Sequence, residues 1–268
     1  MTFIHVDDWG FTLTINLRSV YNTSMILAEH KTLSVAIDGP AGAGKSTVAR
    51  RVADALGCTY IDTGAMYRAL AWGVLDSGTD PRDTKAVLAF AESLEIHLEP
   101  GRVWADGREI TDSIRTPEIS NLTSPLAAIP EVRARMVTLQ QAMARRGGVV
   151  MEGRDIGTVV LPEAEVKIFL TASLAERVRR RREELLSKGV ERDLETLERE
   201  IAARDARDSN RDTAPLKAAG DAICLDSDLL SADEVVVQIL KLVQHLEVNT
   251  DVTVEEKAEE KAEEKHGQ

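Results

Sequence analysis

Cysteine is nearly absent: 268 residues contain only Cys58 and Cys224, and neither has His neighbours at metal-ligand spacing. This excludes a disulfide framework and a cysteine-based zinc site, and it fits a reducing cytoplasm. No run approaches the roughly 18 to 20 apolar residues that a membrane span requires. Asp7 and Asp8 stand where a secretory leader would place Lys or Arg, so neither export nor membrane insertion is expected. Excess positive charge is missing too. With 33 Lys plus Arg against 45 Asp plus Glu, the net charge is −12, which argues against a general nucleic-acid binder. Aromatics are only 4%. At 43% hydrophobic and 29% charged residues, the chain can nevertheless bury a core without covalent staples.

The ends differ from the middle. Residues 247–268 hold eight acids and three lysines, largely as EEKAEEKAEEK, a low-complexity acidic tail expected to be disordered because it has almost nothing apolar to bury. Residues 1–32 show one strand-like alternation, Phe11 to Leu17, and Met25 lies shortly before the first well-patterned strand. This stretch is expected to be a flexible extension or an over-extended start. The candidate domain is therefore 33–246.

Within it, short apolar runs alternate with helical periods. Leu33 to Asp38, Thr59 to Asp62, Val149 to Glu152, Val166 to Leu170 and Ile223 to Asp226 read as buried strands. Helical patterns occupy 45–56, about 130–146, 173–188, 193–211 and 232–246, with Gly57 as a C-cap and Ser231 as an N-cap. Such alternation predicts an α/β fold with a parallel sheet covered on both faces. The stretch 94–112 has a different texture. Its Pro100-Gly101 and Asp106-Gly107 turns between alternating segments predict a small antiparallel insert.

The strongest chemical signal is Gly39-Pro40-Ala41-Gly42-Ala43-Gly44-Lys45-Ser46, followed by Thr47, between a predicted strand and a predicted helix. It satisfies G-x-x-x-x-G-K-[ST] at every required position. In such a loop the backbone N–H groups turn inward around phosphate oxygens, and the helix start adds its positive dipole end. Lys45 then reaches the β and γ phosphates, and the Ser46 hydroxyl can ligand Mg²⁺. No N-K-x-D guanine reader follows, and Val149 to Glu152 runs on into Gly153-Arg154-Asp155 rather than ending in a Walker-B aspartate. An Arg-Asp pair at the carboxyl end of a strand suits ligand reading.

Of the basic residues, 23 are Arg and 10 are Lys, favouring the planar fork that binds phosphate bidentately. Arg68, Arg133, Arg154, Arg204 and Arg211 are candidates for a convergent site. Arg204, Arg207, Asp208 and Arg211 share one helix face; with Asp205 set aside, that face is short of negative charge and either binds phosphate or is a solvated stripe. The run Arg179 to Arg182, with Glu183 and Glu184 close behind, reads either as a surface helix or as part of a closing lid. As for the acceptor, a nucleoside monophosphate offers an oxygen already anionic near neutral pH. Its attack needs positioning and charge neutralisation rather than a placed base.

Together GPAGAGKST, DTGAMYRA at 62–69, EGRDIGTVVLP at 152–162, VKIFLTAS at 166–173 and RDARDSNR at 204–211 make the chain resemble the bacterial cytidylate kinases, of the nucleoside monophosphate kinase group. The resemblance spans about residues 33–246. It implies a P-loop fold with a five-stranded parallel sheet flanked by helices, a monophosphate-binding insert at about 84–128 and a short lid at about 177–211. It also implies transfer of the γ-phosphoryl group of Mg²⁺-ATP to CMP and dCMP. Independently of the resemblance, nothing at heptad spacing demands an oligomer, so a monomer is expected, and composition points to the cytoplasm with no nucleic acid or membrane partner. By position, Thr63 and Arg68 become monophosphate-site residues, although Thr63 could also cap a helix, and the two roles can coexist. Ser124, Arg133 and Asp155 become cytosine readers, and Arg154 a further phosphate ligand. Arg204 and Asp208 become ribose contacts, and Arg211 a lid arginine acting with Lys45 on the transferring group. An adenylate, uridylate or dephospho-coenzyme A kinase is the nearest alternative. A nucleotide-dependent RNA-binding regulator is the remote one.

Overall fold

The computed structural model describes residues 33–246. The extension 1–32, with its strand-like alternation, and the acidic tail 247–268 lie outside the described residues. Strand β1 (Ser34–Asp38) runs into the phosphate-loop sequence, and helix α1 (Lys45–Leu56) leaves it. Val48, Ala49, Val52, Ala53 and Leu56 form the buried stripe of α1, and Gly57, at φ 64°, closes it by donating to Ala53 O. Strand β2 (Thr59–Asp62) follows and gives way directly to α2 (Thr63–Asp76). The cap of α2 is Asp62, not Thr63: the Asp62 carboxylate accepts the Ala65 N–H at 2.8 Å, leaving the Thr63 hydroxyl for another partner.

Helix α3 (Thr84–Ser93) then leads into β3 (Ile96–Glu99), β4 (Arg102–Ala105) and β5 (Arg108–Glu109), a three-stranded antiparallel sheet where the turn signals predicted one. Its two-residue connections place Gly101 at φ 78° behind Pro100, and Asp106 and Gly107 at φ 47° and 74°. The second of these has the positive φ at both positions that a twisted hairpin prefers. Helices α4 (Pro117–Ala127) and α5 (Pro130–Ala144) return the chain to the main sheet.

The remaining elements are β6 (Val149–Gly153), β7 (Val166–Thr171), α6 (Leu174–Ser187), α7 (Leu194–Asn210), β8 (Ile223–Asp226) and a helix, α8, over 232–246. The main sheet is parallel with order β2-β6-β1-β7-β8. The inner strands are buried throughout or on alternate residues; β2, at one edge, buries Ile61 and half-buries Tyr60 and Asp62, whereas β8, at the other edge, is mostly exposed, so the expectation of burial fails for Ile223 to Asp226. Alternation sends Ala36, Val149 and Met151 to the face covered by α2 and α5, and Val35, Ile37 and Val150 to the face covered by α1 and α8. The register sets Asp38 beside both Gly153 and Phe169, and Asp62 beside Glu152. The carboxyl ends of β1, β2 and β6 therefore open onto one crevice, where ligands of such sheets bind.

Candidate active site

The phosphate loop turns through positive φ at Gly39 (149°), Gly42 (79°) and Gly44 (91°). Gly39 has a second reason to be glycine: a Cβ there would lie 1.9 Å from Leu170 O in β7. Lys45 is buried and donates from Nζ to Pro40 O at 2.8 Å, so its ammonium is folded back over the loop. Burial, reinforced by the charges of Arg154 and Arg204, holds Lys45 below the usual lysine range. Glu152, buried at the end of β6, is displaced the other way, first by burial and then by Asp62; hydrogen bonds from Ser46 and Tyr60 draw it part of the way back. Tyr60 Oη donates to Glu152 Oε1 at 2.6 Å. Ser46 and Thr47 are exposed on the first turn of α1.

Asp38 and Thr63 fix the segments around the loop. Both Asp38 oxygens accept backbone N–H groups, from Ile156 and Gly157, each at 2.8 Å. That anchors the π-helical turn Ile156–Val160, which presents Arg154 and Asp155. Thr63 Oγ1 donates to Glu152 O at 2.7 Å, and a Cβ on Gly153 would lie 2.7 Å from the same hydroxyl. Arg68 projects from α2 onto Asp62 at 2.9 Å.

On the other side of the crevice Arg133 is 2% exposed, ion-paired with buried Asp155, bonded to Ala127 O at 3.3 Å and stacked 5.6 Å from the Tyr67 ring. Arg211 approaches the second Asp155 oxygen at 3.7 Å. Between this group and the phosphate loop, Arg154 Nε donates to Asp208 Oδ2 at 2.8 Å. Burial would raise Asp208, but Arg154, Arg204 and Arg211 outweigh it and hold the carboxyl below its ordinary range. Arg204, burdened by burial and then by Arg154, is pushed down to about 10. Arg211 is lowered by burial and by Arg133. The structure thus brings Lys45, Arg68, Arg133, Arg154, Asp155, Arg204, Asp208 and Arg211 to one crevice. Arg207 stays exposed, turned back on Ala203 O, and α7 stops at Asn210, leaving Arg211 as its C-cap. Ser124 is half-buried on α4, one turn before Ala127, and its hydroxyl has no hydrogen-bond partner among the described residues.

This arrangement is short of anions. Arg133 Nε, Arg204 Nε and Arg211 Nη2 are buried without a hydrogen-bond partner, which costs about 1 to 3 kcal/mol for such a group. Cations that depress one another beside a glycine-rich helix start fit the phosphates of a nucleoside triphosphate and a monophosphate. The Ser46 hydroxyl at the head of α1 suits Mg²⁺, which keeps several waters and takes phosphate oxygens as ligands.

Four contributors are not apparent in the motif reading. Asp38 and Glu152 lie at strand ends inside recognised segments, with only their place beside the loop to mark them. Arg177 and Asp205 bind the phosphate loop itself: Arg177 Nη1 donates to Ala41 O at 3.1 Å, and Asp205 Oδ1 accepts from Ala41 N at 3.4 Å. In sequence both are hidden among neighbouring charges.

The family model for cytidylate kinase matches residues 35–245. A cytidylate kinase of Exiguobacterium sibiricum is 50% identical over 218 residues, covering 80% of this chain and 98% of that protein. One from Geobacillus kaustophilus is 53% identical over 215 residues, covering 79% and 96%, and one from Streptococcus pneumoniae is 52% identical over 214 residues, covering 78% and 96%. The matched span coincides with the phosphate loop, the crevice and the helices that close it, and on that footing the chain belongs to the cytidylate kinase family.

Proposed function

We propose that this kinase transfers the γ-phosphoryl group of Mg²⁺-ATP to CMP and dCMP, giving CDP or dCDP and ADP. The observation that carries the reading is the set of mutually repelling cations, buried Lys45 with half-buried Arg154 and Arg204, between the glycine loop and the Arg133–Asp155–Arg211 group. An acceptor phosphate and a donor triphosphate together relieve that repulsion. Gly39 to Thr47 hold the donor phosphates. Mg²⁺, held through Ser46, supplies charge neutralisation when bound. Thr63, Arg68 and Arg154 hold the acceptor phosphate, and Lys45 with Arg211 stabilises charge on the equatorial oxygens as the acceptor oxygen attacks and ADP leaves.

Base choice follows from hydrogen-bond polarity. Cytosine places an amino donor at N4, which Asp155 accepts, and acceptors at N3 and O2, which Arg133 and Ser124 satisfy. Uracil turns a carbonyl toward the carboxylate, a mismatch costing roughly 1 to 3 kcal/mol. Arg204 and Asp208 meet the sugar. The insert at 84–128 forms the acceptor side and 177–211 the lid, which excludes water on closing. We further propose action as a monomer in the cytoplasm on these small substrates alone, without nucleic acid or membrane. In support of the last point, no helix among the described residues is long and apolar enough to cross a membrane.

The test is ADP release from Mg²⁺-ATP with CMP, dCMP, UMP, AMP, GMP or no acceptor. Fast turnover on CMP and dCMP with weak UMP use is expected. Preference for AMP or UMP would overturn the base reading, and acceptor-independent hydrolysis would overturn the transfer itself.

A further inference from the structure

Helices α6 and α7 pack on each other through Val178, Leu197 and Ile201, and a polar clasp joins them to the phosphate loop. Arg177, 7% exposed, donates from Nε to Ala172 O at 3.0 Å and from Nη1 to Ala41 O at 3.1 Å, and the same nitrogen is ion-paired with Asp205. Asp205 in turn accepts the Ala41 N–H at 3.4 Å. Both backbone polar groups of one loop residue are therefore held by an arginine from α6 and a carboxylate from α7. The approach is close enough that a Cβ on Gly42 would lie 3.2 Å from Arg177 Cβ, so Gly42 serves this contact as well as its own positive φ.

Asp205 also sits between Arg204 and Asp208 on α7. Asp208 is bonded to Arg154 at 2.8 Å, and the Arg154 charge bears on both Lys45 and Arg204 in the crevice. A single turn of α7 thus grips the donor loop with one carboxylate and the acceptor side with another. Because helical residues three apart stand on one face at fixed spacing, a shift of α7 that tightens one grip moves the other.

We propose that Arg177 and Asp205 are positioning residues that hold Ala41, and with it the phosphate loop, in register with the acceptor site, so that α7 couples acceptor occupancy to donor affinity. This rests on the CMP kinase reading above. The variants are Arg177→Lys, which keeps the charge but loses the fork, and Asp205→Ala. Arg82→Ala, which removes an exposed pair with Asp80 outside the crevice, the insert and the lid, is the control.

Steady-state kinetics on the full chain should show KM for ATP raised about tenfold in both variants, the scale expected for losing a charge-assisted contact. KM for CMP, and CMP affinity measured calorimetrically without ATP, should stay within about twofold. The double variant should cost no more than the worse single one, since the two side chains act as one unit. In the wild type, saturating CMP should tighten binding of a non-hydrolysable ATP analogue, and both variants should lose that effect. An unchanged KM for ATP, an equal rise in both KM values together with a lowered melting midpoint, or retained coupling would each overturn the proposal. If Asp205→Ala does not fold, Arg177→Lys alone decides. Failure of the underlying reading would look different, because the wild type itself would not turn over CMP.

Discussion

Asp38 is the last residue of β1 and the neighbour of Gly39, and its carboxylate carries the turn that presents Asp155. Burial raises its pKa to about 6; the two backbone N–H groups and Lys45 oppose the shift, and Asp155 adds to it. An acid whose folded pKa lies above its unfolded value binds protons more tightly when native. Its stabilising contribution is therefore full below about 3.8 and lost as pH rises through about 6. The urea stability of Asp38→Asn relative to wild type should accordingly improve from pH 4 to pH 7, by on the order of 2 to 3 kcal/mol. A pH-independent difference would show that Asp38 titrates as an ordinary carboxyl. Asp155 tests base reading at the same scale. Asp155→Ala should narrow the CMP to UMP ratio of kcat/KM about tenfold or more, the worth of one buried polar match, while KM for ATP changes little. An unchanged ratio would remove Asp155 as a base reader.

At the scale of elements, the legible ones are those whose signals are local. The β1, loop and α1 sequence is one: apolar strand, glycines where φ is positive and a glycine cap are all contiguous. The 232–246 helix is another. Ser231 Oγ accepts the Glu234 N–H at 3.3 Å, and Glu234 Oε2 accepts the Ser231 N–H at 2.7 Å, a reciprocal capping box. Ser231→Ala should therefore cost about 1 kcal/mol in urea unfolding and leave kcat unchanged, since it lies outside the crevice. By contrast α4 begins at Pro117 and contains Pro125, which reads as interruption; its stability comes from Ile119, Thr123 and Leu126 packed inward, a tertiary effect. Strand β8 departs from its expected burial for the opposite reason, because a short apolar run discloses a strand but not its place at the edge of the sheet. The Arg177–Asp205 clasp joins two helices and a distant loop, so no sequence period marks it. The convergence of Arg133, Arg154 and Arg211 was legible only because motifs name positions that geometry later brings together.

At the scale of the whole molecule, the sheet divides two apolar cores. One lies under α2 and α5, around Met66, Leu70, Met136 and Met151; the other lies under α1 and α8, around Ile37, Val52, Leu170 and Ile239. Strands β1 and β6 contribute to both, so the cores are expected to unfold together. Leu70→Ala, at a fully buried position, should cost about 2 to 5 kcal/mol. It should do so in one transition, seen alike by circular dichroism and by the fluorescence of Trp72, which packs against the first of these cores. Divergent midpoints would mean that the halves are independent. The strand order also bears on how the molecule comes into being. Strands β1 and β2 do not pair; every rung of the main sheet ends on β6, β7 or β8. A nascent chain emerging amino end first therefore carries its phosphate loop on an unpaired strand until residues 149–153 arrive. The loop then waits for Leu170, Arg177 and Asp205 before its own contacts close. The phosphate loop, early in the sequence, is thus expected to be among the last parts of the domain to take its final shape.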